Sequence, residues 1–138
     1  MRFEDYESLE RWRVKPNGER RFSESSEPTY LSDMERFCRI LGMNPDSIVE
    51  QVKRSSDPKI EIFKIKLKIA TSLKQENALK KQEDILKERS IHKQYNELNT
   101  FLRANGIKVT RADIKEFPEW ASKHGASWMV RETRWKPD

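Results

Sequence analysis

Two stretches of this chain repeat apolar residues at helical spacing, and each stops at a glycine. From Pro28 to Leu41, the side chains of Tyr30, Leu31, Met34, Phe37, Cys38 and Leu41 fall within an arc of about 120°, and Gly42 follows. From Ile91 onward the same period places Ile91, Gln94, Tyr95, Leu98, Phe101, Leu102 and Asn105 on one side, closed by Gly106. Such stripes leave water only by packing on one another, so the chain is constrained to an all-α small helical bundle. Charged residues (37%) outnumber hydrophobic ones (35%), so a core forms only if the apolar positions share faces. With 138 residues there is room for one small domain with flanking segments, not for two ordinary cores.

About four helices are expected. Pro28 suits a first helical turn, with Ser23, Ser25, Ser26 and Glu27 before it as capping groups. Asn44, Pro45 and Asp46 restart the chain into a short helix carrying Ile48, Val49 and Val52, which Ser55, Ser56, Asp57 and Pro58 stop. The segment KIEIFKIKLKI at 59–69 is ambiguous, because Ile65, Leu67 and Ile69 alternate with lysines as in a strand. Ile62, Ile65, Ile69 and Leu73 also fit one helix face, widened by Phe63, Leu67 and Ala70, and no equally strong strand exists to pair with it. Helix is the reading taken, continuing through good helix formers to about Lys87. Ser90 is read as the N-cap of the next helix. Residues 1–27 read as an N-terminal arm with one short helix over Tyr6 to Trp12, whose aromatics have a core to pack back on. Residues 28–109 read as the helical domain. Residues 110–138 lose periodicity and read as an extended basic linker, with a short helix near Ala112 to Phe117.

The formal net charge of +5 is unevenly spread: residues 1–58 carry −2 and residues 59–138 carry +7. A basic half of this kind suits a polyanion partner, although basic solvated helices are common. Opposite the second stripe lie Lys93, Asn96, Thr100 and Arg103, within about 80° of one another, all able to hydrogen-bond and none acidic. An ordinary wet helix face is the bland reading of that arc, and a polyanion-binding face is the functional one. Among candidate reactive groups, Cys38 and Tyr95 sit on the apolar stripes and read as core. One cysteine with His92 and His124 makes neither an internal disulfide nor an ordinary zinc site. Glycine-rich phosphate loops, HExxH and CxxC motifs are missing, so no cofactor, no metal and no catalysis are expected. No run is long and apolar enough for a membrane helix and the opening MRFEDYESLERW is too acidic for a signal peptide, so no membrane partner and a cytoplasmic location are expected.

The segment SSEPTYLSDMERFCRILGMNPDSIV, followed by SIHKQYNELNTFLRANGIKV, resembles the core-binding (SAM-like) domain of tyrosine recombinases, the phage-type integrases, especially archaeal ones. The matching positions are Thr29, Tyr30, Leu31, Met34, Phe37, Gly42, Pro45 and Asp46, then Tyr95, Leu98, Phe101, Asn105, Gly106 and Ile107. The resemblance covers roughly residues 23–109, and RETRWKPD resembles the linker into a catalytic domain. The span before Ser90 is longer than that family needs. The family's catalytic arginines, histidine, lysine and attacking tyrosine have no counterpart here, so this chain is expected not to cut DNA.

The resemblance implies a non-catalytic module that clamps double-stranded DNA at a recombination site, with self-association on DNA through a parent recombinase. It casts Lys93, Asn96, Thr100 and Arg103 as the groove-facing set, Asn96 toward adenine, Arg103 toward guanine, and Lys93 and Thr100 toward phosphate. Arg20 and Arg21 in the arm, with Lys108, Arg111 and Lys115 in the linker, are further phosphate candidates. The alternatives are a stand-alone helical nucleic-acid-binding regulator and a protein-interaction bundle with Trp120 and Trp128 as anchors.

Overall fold

The computed structural model describes residues 2–78 and 88–127. After a 3-10 turn at Phe3–Asp5, the described residues form six helices: α1 Glu7–Arg13, α2 Glu27–Leu41, α3 Pro45–Arg54, α4 Pro58–Ala78, α5 Glu88–Ala104 and α6 Arg111–Lys123. The ambiguous segment at 59–69 is helical, within α4. Pairing of the sheet type is confined, among these residues, to one isolated bridge between Val14 and Arg20.

The two expected glycine stops are built alike. Gly42 (φ 66°) and Gly106 (φ 82°) adopt the left-handed conformation that side chains resist. The next amide in each case, Met43 or Ile107, donates back to the carbonyl of Cys38 or Leu102 at 3.0 Å. Asn44 caps α3 as its sequence suggests, its side chain accepting from the Ser47 amide at 2.7 Å. Ser90, read as an N-cap, lies inside α5, because that helix already includes Glu88. The expected course of the preceding helix to Lys87 lies outside the described residues beyond Ala78.

At the centre runs α4, which packs against α2, α3, α5 and α6. Its inward residues Ile62, Phe63, Ile65, Ile69, Ala70 and Leu73 are buried. A helix covered on so many sides needs a wide apolar arc, which explains why its periodicity is weak in the sequence.

The short helix expected over Tyr6 to Trp12 is α1, and the aromatics of residues 1–27 pack back on the core. Leu9 and Trp12, one turn apart on α1, are both 0% exposed, and α1 packs on α3 and α5. The Trp12 ring meets Phe101 edge-on at 5.7 Å and Phe22 at 5.0 Å. Polar bonds then fix the docking. Asp46 on α3 accepts from the Ser8 amide at 2.9 Å and from its hydroxyl at 2.5 Å, satisfying a donor at the open end of α1. Asn105, buried past the end of α5, donates its amide to the carbonyls of Ser8 (3.0 Å) and Phe101 (2.9 Å). Downstream, Glu27 accepts from Arg13 at 3.2 Å and Arg20 at 2.8 Å. Burial alone would raise the Glu27 carboxyl, but the two guanidinium groups outweigh it and hold the pKa below the usual carboxylate value.

The expected extended linker is also corrected over residues 111–127. Thr110 and Asp113 form a reciprocal capping box, each backbone amide donating to the other's side chain at 3.1 Å, and α6 follows. Phe117 and Ala121 are buried, with the Phe117 ring 5.6 Å from Phe63 and 5.7 Å from Tyr95. The short helix expected near Ala112 to Phe117 runs through Pro118 to Lys123. The full length of α6 escapes the sequence for a physical reason: a helix with two or three inward residues has too few repeats to display a period.

Trp12→Ala should cost about 3–5 kcal/mol, the usual loss for emptying a buried aromatic site. Urea unfolding followed by circular dichroism checks this. Removal of residues 1–22 should destabilise the remainder at least as much, and an unchanged midpoint in either variant would contradict the docking of α1.

Candidate nucleic-acid interface

The docking of α1 across the C-terminal half of α5 leaves a groove of about 460 Å³, lined by Arg11, Val14, Pro16, Arg21, Thr100 and Arg103. No carboxylate lines it. Three arginines meet there because α1 supplies Arg11, the turn held by the Val14 to Arg20 bridge supplies Arg21, and α5 supplies Arg103.

How each guanidinium is held decides what it has left to offer. Arg21 donates its Nε to the Trp12 carbonyl at 2.7 Å. Arg103 donates Nε and Nη2 to one oxygen, the Val109 carbonyl, at 2.9 and 2.7 Å. A neutral carbonyl orients the planar fork without cancelling its charge, and neither Arg21 nor Arg103 forms an ion pair among the described residues. Arg11 reaches Asn105 Oδ1 at 3.4 Å and lies 3.5 Å from exposed Glu7, which offsets part of its charge and leaves Arg21 and Arg103 as the unpaired cations of the groove among the described residues. The groove therefore presents oriented positive charge.

Of the residues singled out in the sequence, Arg21, Thr100 and Arg103 converge on this groove. Asn96 is exposed one turn before Thr100 on α5. Thr100 departs from its expected phosphate role: its hydroxyl accepts from Trp12 Nε1 at 3.1 Å and donates its one proton to the Glu97 carbonyl at 2.8 Å. It positions Trp12. Arg20 is engaged by Glu24 at 3.5 Å and by Glu27 at 2.8 Å, so its charge is largely met within the chain. Lys108, Arg111 and Lys115 are exposed and do not line the groove. The side chains of Lys93 and His92 lie outside the described residues, as do Trp128 and the RETRWKPD segment.

Two groups escaped the sequence reading. Arg11 was hidden by the reading of residues 1–27 as an arm. Lys66, only 2% exposed, sits in the middle of the inward arc of α4, where its place between Ile62, Phe63, Ile69 and Ala70 is a signal available in the sequence. Its Nζ lies 5.6 Å over the Phe117 ring. Burial, with the Arg103 charge adding to it, pushes the Lys66 ammonium down to about 8, and Asp113 opposes this in part.

The described residues hold no group of three histidine, cysteine or acidic side chains able to bind a metal ion. Burial, helped by Glu35, pushes the Cys38 thiol up to about 12, so it is no nucleophile at neutral pH. His124 stacks on Trp120 at 4.0 Å with Nδ1 2.6 Å from the Trp120 carbonyl. No helix among the described residues is long and apolar enough to cross a membrane. No family model matches the chain, and no curated protein or solved structure matches it either.

Lys66 gives a signed pH dependence. Its folded pKa, about 8, lies below its unfolded value of 10.5, so between these values the unfolded chain binds more protons and stability rises with pH. Lys66→Met should remove this rise and stabilise the protein at pH 7 by on the order of 3–4 kcal/mol, the interval from 10.5 to about 8 taken at about 1.4 kcal/mol per pKa unit. Urea midpoints of both proteins from pH 7 to 10 check it. Parallel profiles would refute the buried charge.

Proposed function

We propose that this chain is a non-catalytic module that binds double-stranded DNA through its phosphate backbone, with the groove between α1 and α5 as the contact surface. The observation that carries the reading is that Arg21 and Arg103 are fixed by backbone carbonyls rather than by carboxylates. Here the chain provides the aim and leaves the charge unmet, which suits a ligand bearing phosphate oxygens in a row. Asn96 extends the face along α5 and is the residue best placed to meet a base edge.

The module is one of the kind that tyrosine recombinases use to close over a recombination site, acting on DNA in the cytoplasm, with a separate catalytic domain supplying the chemistry. Support for that finer reading is the order of helix junctions at Gly42, Pro45, Asp46, Asn105 and Gly106. These residues serve the fold, since Asp46 and Asn105 hold α1 in place. Preference for an inverted-repeat duplex over random duplex of equal length is what distinguishes a recombinase module from a general DNA binder.

Fluorescence anisotropy with a labelled duplex of about 20 base pairs tests the contact surface. Affinity should fall steeply between 50 and 200 mM salt, with a slope of about −0.9 per phosphate engaged. Gln can still donate to a carbonyl while lacking the charge, so Arg21→Gln with Arg103→Gln should weaken binding at least tenfold and make the slope shallower by about 2. Lys68→Ala, an exposed cation on α4, serves as the charge control. Undetectable binding at low salt, or a double variant that behaves like the control, would overturn the proposal.

A further inference from the structure

We propose that the groove between α1 and α5 favours thymine-bearing duplex, its apolar residues covering the C5 methyl groups of thymine while its arginines hold the neighbouring phosphates. The inference rests on the DNA-binding reading and adds a base preference to the same site.

Arginines account for only part of the groove. Val14, Pro16, Thr100 and Ala104 make up the rest of its lining. Val14, 36% exposed, is the large hydrophobic residue left open to water among the described residues, and Pro16 beside it is exposed as well. Thr100 belongs with them chemically. Its hydroxyl accepts from Trp12 Nε1 at 3.1 Å and spends its one proton on the Glu97 carbonyl at 2.8 Å, so it has nothing to donate to a phosphate and its methyl group is what remains. Single apolar side chains scattered over a surface need no explanation, but four apolar groups gathered in one cation-lined groove do.

Phosphate oxygens gain nothing from carbon, because an anion is better served by water or by N–H donors. The C5 methyl of thymine is apolar, stands in the major groove and lies on the side of its own strand's phosphates. A surface that grips that strand therefore meets the methyl without seating a helix deep in the groove. The apolar residues are also held in place. Val14 donates its amide to the Glu10 carbonyl at 2.9 Å, and in the turn beyond it Lys15 donates to the Glu19 carbonyl at 2.8 Å, Gly18 to the Lys15 carbonyl at 2.9 Å and the Glu19 amide to Asn17 Oδ1 at 3.0 Å. Arg21 closes the same turn, its amide donating to the Arg13 carbonyl at 2.8 Å. Apolar contact and cation thus sit on one braced unit, and little is left to be ordered on binding.

Fluorescence anisotropy with a duplex built only of A·T pairs, and with its counterpart carrying deoxyuridine at every thymidine, tests this. The exchange removes the methyl and keeps the pairing and the phosphates. Wild type should bind the thymine duplex more tightly, by roughly three- to fourfold for each methyl covered, with the same salt slope for both duplexes. Val14→Ser with Pro16→Ser alters two exposed positions and should lose most of that preference, through weaker binding of the thymine duplex. Equal affinity of wild type for the two duplexes, a comparison that needs no variant, would overturn the methyl contact while leaving DNA binding intact. An undiminished preference in the double variant would overturn its assignment to this groove. Absence of binding to either duplex at low salt would instead overturn the underlying reading.

Discussion

The fold and the candidate site both depend on the docking of Trp12 against α5. Its ring is fully buried beside Phe101, and its indole N–H is matched by the Thr100 hydroxyl, so a large apolar surface is hidden with no polar penalty. That contact would not hold a seven-residue helix alone, since so short a helix has little intrinsic stability. Asp46 and Asn105 supply what is missing by bonding the backbone of α1 at Ser8 from α3 and from the end of α5. Once α1 lies across α5, Arg11 and Arg21 are carried to the side of Arg103. The groove is a consequence of how the core is closed.

A second consequence concerns charge. The chain pairs Arg13 and Arg20 with a buried acid, Glu27, where it needs to tie the turn after α1 to the start of α2. It gives Arg21 and Arg103 only carbonyl oxygens. A carboxylate at either place would satisfy the same donors and erase the field. Lys66, buried against the Phe117 ring, carries its charge at neutral pH at a cost in stability that a methionine would avoid.

How much of this was legible in the sequence follows from how many repeats each element contains. The helices α2 and α5 run 15 and 17 residues, long enough for the period to show, and their glycine stops are where expected. The stops work because only a left-handed residue lets the next amide turn back to the helix. In α4 the same rule was blurred by burial on many sides, which also hid Lys66 among its apolar neighbours. Short helices at α1 and at the start of α6 were legible, but not the full course of α6 or the depth of their burial, since Leu9 with Trp12, and Phe117 with Ala121 around a proline, are too few points to define a period. The polar arc on α5 was visible, but that Thr100 turns its hydroxyl inward to Trp12 depends on a partner 88 residues away in the chain. Arg21 was named for its charge alone, and only the fold places it beside Arg103.

The central claim is that a duplex seats itself on the α1 and α5 groove through arginines whose charge the protein leaves unmet. Side-chain and backbone NMR during titration with duplex DNA tests it most directly. The Nε–Hε signals of Arg21 and Arg103 should shift together with the amides of residues 96–104, while the α3 face around Glu50 and Arg54 stays unmoved. Shifts confined to that α3 face, or arginine signals that do not respond at saturating DNA, would contradict the account.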